Sequence, residues 1–428
     1  MKVSFPWLSP FLNMLGRTLG IDAYYVAKHS SLVLLGHVVS VLRGIITGYL
    51  VARFFQKEMY GEYQFILSVV GTLSLFGLPG LAQSVTRAWA RGDAFSPRDV
   101  ARQQLKVCAM GSIILLSCIP FLRAYDRASL WMLFVAAALL FPLSPIATVQ
   151  YGGYVVGKAR FDIALRASVV WSVLMIVATL SIIVLHPSAL LMLVASMSIP
   201  PLIYLSYSRR WHPPAEEGTR HTRAILRYGW QLTLATLPVD IVWYVDKLLI
   251  SHFFGLSRLA TFSIALLIPE QAKILIKQFF PVAFAKQAAG DDSRQRRGKL
   301  MKIVLAGTAI FAVGIGIYIA LSPVLMPLLF PQYDARELVL LTSVAAVTLL
   351  TMPGALFAQY MEARGMIRQI QISNWSAALV FGVALILLIP RYGLLGAVIA
   401  RGVLRLVSLL FTWWFVMRGP ILQPLPSS

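Results

Sequence analysis

The sequence is poor in residues that hold metal ions or close disulfides. It has two cysteines and six histidines in 428 residues. Cys108 and Cys118 fall on one predicted helix, about 15 Å apart, which is too far for a disulfide. No Cys and His residues have the spacing of a metal site, and no arrangement of residues typical of an enzyme is visible. We therefore expect no metal, no resident cofactor and no enzyme activity.

Charged residues are also scarce. They make up 13% of the chain, whereas hydrophobic residues make up 58%, and soluble domains have about 25% charged residues. Apolar stretches of about twenty residues, each long enough to cross a bilayer, recur from end to end. The sequence predicts an all-α polytopic membrane protein with about twelve transmembrane helices, at 31–52, 62–82, 104–124, 130–150, 167–186, 188–208, 229–251, 258–284, 303–329, 337–358, 374–390 and 394–417.

Acidic residues are outnumbered, with 17 against 38 Lys and Arg and a net charge of +21. Such an excess can indicate a nucleic-acid partner, but here Lys and Arg concentrate in alternate connecting segments. This distribution follows the positive-inside rule and predicts a multi-pass protein of the cytoplasmic (inner) membrane with both termini in the cytoplasm. We expect contact with membrane lipid and no nucleic-acid partner.

The most polar connection, Arg209 to Arg227, divides the predicted spans six and six. A weak internal similarity supports a duplication, because Phe54 and Phe55 align with Phe253 and Phe254. Both halves would begin in the cytoplasm, so a pseudo-two-fold axis along the membrane normal would relate them. We predict a cytoplasmic segment, an N-terminal six-helix bundle, a cytoplasmic linker, a C-terminal six-helix bundle and a cytoplasmic tail, at 1–30, 31–208, 209–228, 229–417 and 418–428.

Nine charged residues fall within the predicted spans, apart from those at the span edges, which are counted with the adjoining loops. A charge at the bilayer centre costs about 2.5–3.5 kcal/mol on insertion scales, so each of them needs water, a partner or a charged cargo. On a helix, Glu270, Lys273 and Lys277 share one stripe of span eight. The embedded cations are Arg43, Lys247, Lys273, Lys277, Arg401 and Arg405, and the embedded acids are Asp240, Asp246 and Glu270.

Several of these embedded charges can also be explained by a purely structural role. Lys247 and Arg401 can reach the outer interface by extending their side chains along the helix. Glu270 and Lys273 can form an intrahelical structural pair. Arg405 can bond loose carbonyls or hold a contact between two helices.

Arg43, Lys273 and Lys277 are harder to explain in this way. The embedded charges sum to a positive lining, which favours an anionic cargo such as a diphosphate. The embedded acids would pair with these cations in the empty state, or bind H⁺ or Na⁺ to couple a transport cycle.

Prolines and basic residues near the span ends suggest moving parts. Pro79 in span two, with Pro269 and Pro281 in span eight, are predicted hinges of a gate, although membrane helices also tolerate proline without such a role. Arg87 and Lys286 align in the internal repeat, and we expect them at a cytoplasmic entrance.

Four short motifs resemble those of a known family. Arg391 to Ala400 (RYGLLGAVIA) resembles an element that opens the last span of bacterial polysaccharide exporters and lipid-linked oligosaccharide flippases. Val245 to Ile250 (VDKLLI), followed by Phe254 and Gly255, resembles their span-seven motif. Val51 to Phe55 (VARFF) and Tyr60 to Tyr63 (YGEY) resemble the stretch after span one. The chain thus resembles the Wzx-type flippases of the multidrug/oligosaccharidyl-lipid/polysaccharide (MOP) exporter superfamily.

The resemblance implies two six-helix bundles arranged as a V around a central cavity. It also implies that undecaprenyl-diphosphate-linked oligosaccharide units cross the membrane by alternating access, for an O-antigen, capsule or exopolysaccharide. A polysaccharide polymerase and a chain-length regulator would be partners. In relatives, cations on spans one, seven and eight line the cavity, and the residues that fit here are Arg43, Lys247, Lys273 and Lys277, with Asp246 in the matching motif.

Arg405 is a further predicted substrate-binding residue, although it matches no family motif. Two alternative functions are open at this stage. One is a cation-coupled multidrug exporter of the same superfamily, and the other is a non-transporting scaffold in a polysaccharide-assembly complex. A fourteen-span lipid II flippase would need two more helices, for which the sequence has no apolar stretches left.

Overall fold

The computed structural model describes residues 23–120, 130–211, 219–288, 294–363 and 366–418. Most of the predicted N-terminal segment, part of the linker and nearly all of the tail lie outside these residues. Regular secondary structure in the described part is helical throughout, which confirms the predicted all-α class. We number the helical spans one to twelve in chain order.

The first six spans lie before the linker. Span two is a bent pair of helices, and span four contains a π-helical turn between short α-helices. The bounds are Ala23–Phe54 for span one; Lys57–Thr72, the 3₁₀ turn Leu73–Gly77 and Pro79–Arg91 for span two; Pro97–Ser117 for span three; Trp131–Leu140, Leu143–Ala147, the π turn Thr148–Gly152 and Gly153–Gly157 for span four; Phe161–Leu185 for span five; and Ala189–Trp211 for span six.

The last six spans follow the linker. Spans eleven and twelve form one run, Ile367–Arg418, that is interrupted at Gly393. The other bounds are Thr219–Phe254 for span seven, Leu256–Ala288 for span eight, Arg294–Leu329 for span nine, and Ala335–Val347, the 3₁₀ turn Thr348–Gly354 and Ala355–Ala363 for span ten.

By length and hydropathy, seven helices of the described part can cross a membrane, or eight if the bent pair of span two counts as one. This count takes spans eleven and twelve as a single helix. Spans seven and eight are not among these helices, and the central part of each carries three charged residues, Asp240, Asp246 and Lys247 in one and Glu270, Lys273 and Lys277 in the other.

Span two departs from the continuous helix predicted at 62–82. The chain breaks at Leu78, whose φ is 54°, and the helices on either side meet at 47°. Pro79 is the first residue of the second helix. Proline fits that position because it lacks the N–H that the preceding turn would bond, so the helix cannot run through.

Spans eleven and twelve fold back on each other at the RYGLLGAVIA motif. Gly393 has a φ of 58°, in the left-handed region that favours glycine. A Cβ on Gly396 would overlap the carbonyl of Leu388, although these residues would lie about 12 Å apart in a straight helix. The two glycines therefore permit a tight hairpin, which separates the predicted spans 374–390 and 394–417.

Spans seven and eight pack against spans one and two, so that both halves of the chain meet at the centre. The backbone N–H of Gly80 donates to the Thr233 hydroxyl at 3.0 Å, and a Cβ on Gly80 would collide with the Gly229 carbonyl. Span nine lies at the periphery and exposes apolar side chains such as Ile310, Val324 and Leu328, as expected of a helix that faces lipid.

Candidate functional site

The ion pairs at the centre of the protein connect three spans of the C-terminal half. Arg401 of span twelve donates from Nε to Oδ2 of Asp246 and from Nη2 to Oδ1 at 3.2 Å. Its Nη1 lies 3.1 Å from Oε1 of Glu270 on span eight, and its Nη2 also bonds the Trp243 carbonyl at 3.3 Å. Asp246 is 0% exposed and Arg401 is 4% exposed. A single guanidinium therefore joins spans seven, eight and twelve.

Glu270 is shared among three cations. Its carboxylate accepts from Lys273 Nζ at 2.7 Å, from Arg401 at 3.1 Å and from Arg405 Nη2 at 3.0 Å. Arg405 also donates from Nη1 to the Thr348 hydroxyl at 2.5 Å. We call Asp246, Glu270, Lys273, Arg401 and Arg405 the charged cluster. Hydrogen bonds of this kind are what make buried ions tolerable.

Trp243 supplies the aromatic surface of the charged cluster. Lys273 Nζ lies 3.5 Å from the centre of its ring system, and the guanidinium carbons of Arg401 and Arg405 lie at 5.3 and 5.4 Å. Contacts of this kind are worth about 0.5–1 kcal/mol at exposed sites and about 2 kcal/mol or more when desolvated. The sequence-based reasoning missed Trp243, although its position three residues before Asp246 places both on one face of a helix.

A cavity of about 310 Å³ opens beside the cluster, and we call it the charged cavity. Its wall includes Trp243, Lys247, Glu270, Lys273 and Arg401, with other residues of span eight. Span two contributes Tyr60 and Gln64, which the sequence-based reasoning also missed. Lys247 Nζ donates to Oε1 of Gln64 at 3.1 Å, so its hydrogen-bond partner there is a neutral amide.

The balance of charge around this cavity is positive. Lys247 and the cluster together bring four cations and two carboxylates. The carboxylates of Asp246 and Glu270 form ion pairs with the two arginines and Lys273. The two lysines lie on the wall of the cavity, so the excess positive charge faces the open space.

Arg43 lies apart from this group. Its guanidinium carbon is 3.9 Å from the centre of the Trp171 ring of span five, and its Nε is buried with no hydrogen-bond partner among the described residues. It is absent from the described wall of the charged cavity. The described wall thus includes residues of spans two and twelve beside spans seven and eight, and Arg43 of span one stays a predicted substrate-binding residue outside it.

The structure also decides between alternatives for two arginines. Arg401 does not extend to the outer interface, because both carboxylates of the cluster hold it inside the protein. Arg405 is 7% exposed and lies behind Glu270, against Thr348 of span ten. Its position therefore fits the alternative of a helix–helix contact better than direct contact with a cargo in the charged cavity.

The structure describes four of the remaining predicted residues, and they occupy different places. Asp240 is on span seven, one turn from Tyr244, and is not part of the charged cavity's described wall. Pro269 is buried where span eight meets span ten, and the helix continues through it. Pro79 lies at the bend of span two. Arg87 is exposed, with its guanidinium carbon 5.3 Å from the Tyr228 ring centre. The side chains of Lys277, Pro281 and Lys286 lie outside the described residues.

Comparison with known proteins identifies a family. A family model described as "Polysaccharide biosynthesis protein" matches residues 26–284, well over half of the sequence. No curated protein matches the chain in sequence.

Solved structures of transporters share the fold. An inward-facing multidrug resistance MATE family transporter of the MOP superfamily has a TM-score of 0.67 at 15% identity, over 88% of this chain and 93% of its own. The lipid II flippase MurJ, in an inward closed conformation, has a TM-score of 0.64 at 13% identity, over 91% of this chain and 87% of its own. A MOP superfamily transporter from Pyrococcus furiosus Vc1 (DSM3638) has a TM-score of 0.60 at 14% identity, over 91% and 95%. The fold is that of this superfamily, as the sequence predicted.

Proposed function

The chain belongs to the polysaccharide biosynthesis protein family, and on this premise we propose that it flips undecaprenyl-diphosphate-linked oligosaccharides from the inner to the outer leaflet of the cytoplasmic membrane. The observation that carries the proposal is the excess of positive charge around the charged cavity, where Lys247 and Lys273 stand on the wall. A diphosphate supplies the negative charge that this wall lacks.

The two lysines are the groups we assign to the diphosphate. Lys247 donates to a neutral amide, so an anion can approach it without displacing a carboxylate. Lys273 is anchored by Glu270 and the Trp243 ring, which hold its ammonium in place. Each ion would lose part of its hydration on binding, and the opposite charge offsets that cost. Lys277 remains a predicted third cation.

The cycle follows the alternating access of a transporter. The diphosphate and its sugars would enter the cavity from the cytoplasm. The polyprenyl chain would stay in lipid, because exposure of an apolar chain to water is unfavourable. Movement of one half against the other would then expose the sugars on the periplasmic side. Movement at Pro79 and Pro269 would accompany this exchange, with Arg87 at the cytoplasmic entrance.

We assign the coupling of transport to an ion gradient to the embedded acidic residues. Asp240, Asp246 and Glu270 would pair with cations when the site is empty, or take up H⁺ or Na⁺ during the cycle. The pairing role is supported for Asp246 and Glu270 by their bonds to Arg401. The product would serve assembly of a surface polysaccharide, with a polymerase and a chain-length regulator as partners.

The multidrug-exporter alternative is disfavoured by the same cavity. Drugs of the cationic class would meet the excess of lysine and arginine charge around its described wall, and like charges at close range repel.

The test replaces the two lysines together. Lys247→Ala with Lys273→Ala should abolish surface polysaccharide in a host that depends on this protein, and lipid-linked oligosaccharide should accumulate. The matched control is Lys106→Ala with Lys302→Ala, since both of these lysines are exposed. Normal polysaccharide from a stably inserted double variant of the cavity would disprove the assignment.

A further inference from the structure

A second and larger cavity adjoins the charged one. Its volume is about 540 Å³, and spans two, four, six and seven enclose it. Pockets for small molecules fall in the range of about 300–1,000 Å³. Gln64, Tyr244 and Lys247 belong to the walls of both cavities. A ligand held at Lys247 can therefore extend into either space.

The wall of the second cavity is mostly apolar, but it carries several polar side chains and almost no charge. Lys247, at the junction, is the one charged side chain that the described residues contribute, and no carboxylate is among them. Tyr63, Phe141 and Tyr244 add aromatic surface. Six neutral polar side chains are distributed over spans two, four and six, namely Gln64, Ser68, Ser74, Ser144, Thr148 and Ser196. We call this space the hydroxyl cavity.

Two interruptions of regular helix border the hydroxyl cavity. One is the 3₁₀ turn Leu73–Gly77 with the left-handed Leu78, and the other is the π turn Thr148–Gly152. Irregular backbone at membrane depth is tolerated where it is buried in protein or lines a water-filled space. π-helical turns also concentrate at functional sites. Residues of both interruptions belong to the wall of this cavity.

One hydroxyl at this wall has no hydrogen-bond partner. The Oγ atom of Ser74 is buried, and none of the described residues bonds it. A buried hydroxyl without a partner destabilises a protein, so such a group in a cavity wall is a candidate for bonding a ligand or water. Hydroxyls both donate and accept, which matches them to ligands that carry many hydroxyls of their own.

We propose that the hydroxyl cavity is the subsite for the sugars next to the diphosphate. This inference rests on the proposed function, with the diphosphate on Lys247 and Lys273. The neutral polar side chains in the wall would bond sugar hydroxyls, and the aromatic side chains would lie against the apolar faces of sugar rings. Because the wall offers no carboxylate to balance a positive charge, the subsite selects uncharged sugars, including N-acetylated amino sugars, over sugars with a free amine.

The experiment measures dissociation constants of the full-length protein in lipid nanodiscs. Three probes are compared, namely undecaprenyl diphosphate, the same lipid carrying N-acetylglucosamine, and the same lipid carrying glucosamine with its free amine. The wild type should bind the N-acetylglucosamine probe more tightly than the other two.

The variant is Ser74→Ala with Ser144→Ala, which removes two hydroxyls and leaves the shape of the wall nearly unchanged. Each lost hydrogen bond should weaken binding of the N-acetylglucosamine probe by about two- to tenfold and leave binding of the bare lipid unchanged. Thr148→Val, of similar volume, should have the same selective effect. The control is Ser198→Ala with Ser206→Ala, since both of these hydroxyls bond their own helix and lie outside the described cavity wall.

The outcomes separate the two proposals. Equal affinity of the wild type for the bare lipid and the N-acetylglucosamine probe would overturn the sugar subsite and leave the diphosphate site standing. Equal weakening of both probes in the serine variant would do the same. Tighter binding of the free amine would overturn the selection for uncharged sugars. Failure of all three lipids to bind would overturn the proposed function, and the subsite with it.

Discussion

Arg401 and Asp246 form a bidentate ion pair between spans twelve and seven, with both side chains almost fully removed from solvent. The pair is extended by Glu270, which contacts Arg401 and Arg405 together. Breaking one side of such a pair leaves a buried charge without its partner, which is far more costly than removing both charges. The pair is therefore expected to fix how the three helices pack.

The first prediction concerns stability. Arg401→Gln should destabilise the protein by about 3–5 kcal/mol, because Asp246 is left charged and buried. Adding Asp246→Asn should restore most of this loss. The measurement is unfolding in detergent by denaturant, as a double-mutant cycle.

The control for this cycle is the exposed pair of Arg258 and Glu337, whose contact is 2.6 Å. Arg258→Gln should cost less than about 1 kcal/mol, because solvent screens such pairs. Additive losses from Arg401→Gln and Asp246→Asn would contradict the interpretation.

The second prediction concerns cation binding. In the wild type, the guanidinium of Arg401 occupies the space between the two carboxylates, so Na⁺ should not raise the melting temperature relative to equimolar choline. Arg401→Ala opens that space beside Asp246 and Glu270, and Na⁺ should then stabilise the variant, since a ligand that binds only the folded state raises its stability. Stabilisation of the wild type by Na⁺ would instead favour an ion that displaces Arg401 during coupling.

The sequence was sufficient for what depends on one helix at a time. The apolar stretches located the spans, and the spacing of Glu270 and Lys273 predicted their contact. Each of these follows from local periodicity.

Contacts between helices far apart in the chain could not be predicted in this way. Arg401 and Asp246 are 155 residues apart, and Lys247 and Gln64 are 183 residues apart. Periodicity shows which residues share a face of a helix, but it does not show which helix that face meets. For the same reason, periodicity did not predict that the side chain of Arg43 lies on Trp171 of span five, away from the charged cluster.

The third prediction concerns Trp243. Trp243→Leu should weaken binding of undecaprenyl diphosphate, because Lys273 loses the ring that positions its ammonium. The free energy of unfolding should fall by about 0.5–2 kcal/mol. Trp243→Phe keeps an aromatic face and should retain most of the binding. Equal losses in the Leu and Phe variants would show that the contact is one of packing volume alone.

The fourth prediction concerns the bend of span two. Pro79→Ala restores a backbone N–H at the break and should allow the two helices to straighten, which would lower transport without unfolding the protein. Pro97→Ala is the matched control, because Pro97 also occupies the first turn of a helix. Spectroscopic distances between labels on either side of Pro79 would measure the bend. Unchanged transport with a straightened span would remove Pro79 from the gate.

The last prediction separates a transporter from a scaffold by the presence of water in the cavities. Ser144 is exposed on the wall of the hydroxyl cavity, whereas Ser206 is exposed outside its described wall. Ser144→Cys, in a background with Cys108→Ala and Cys118→Ala, should react with a charged thiol reagent that cannot cross the membrane. Ser206→Cys should react poorly if it faces lipid.

Saturation with lipid-linked oligosaccharide should protect position 144, because the cargo displaces the water through which the reagent arrives. A scaffold whose polar helices pack against partner helices would leave position 144 unreactive in a functional protein, with or without the lipid.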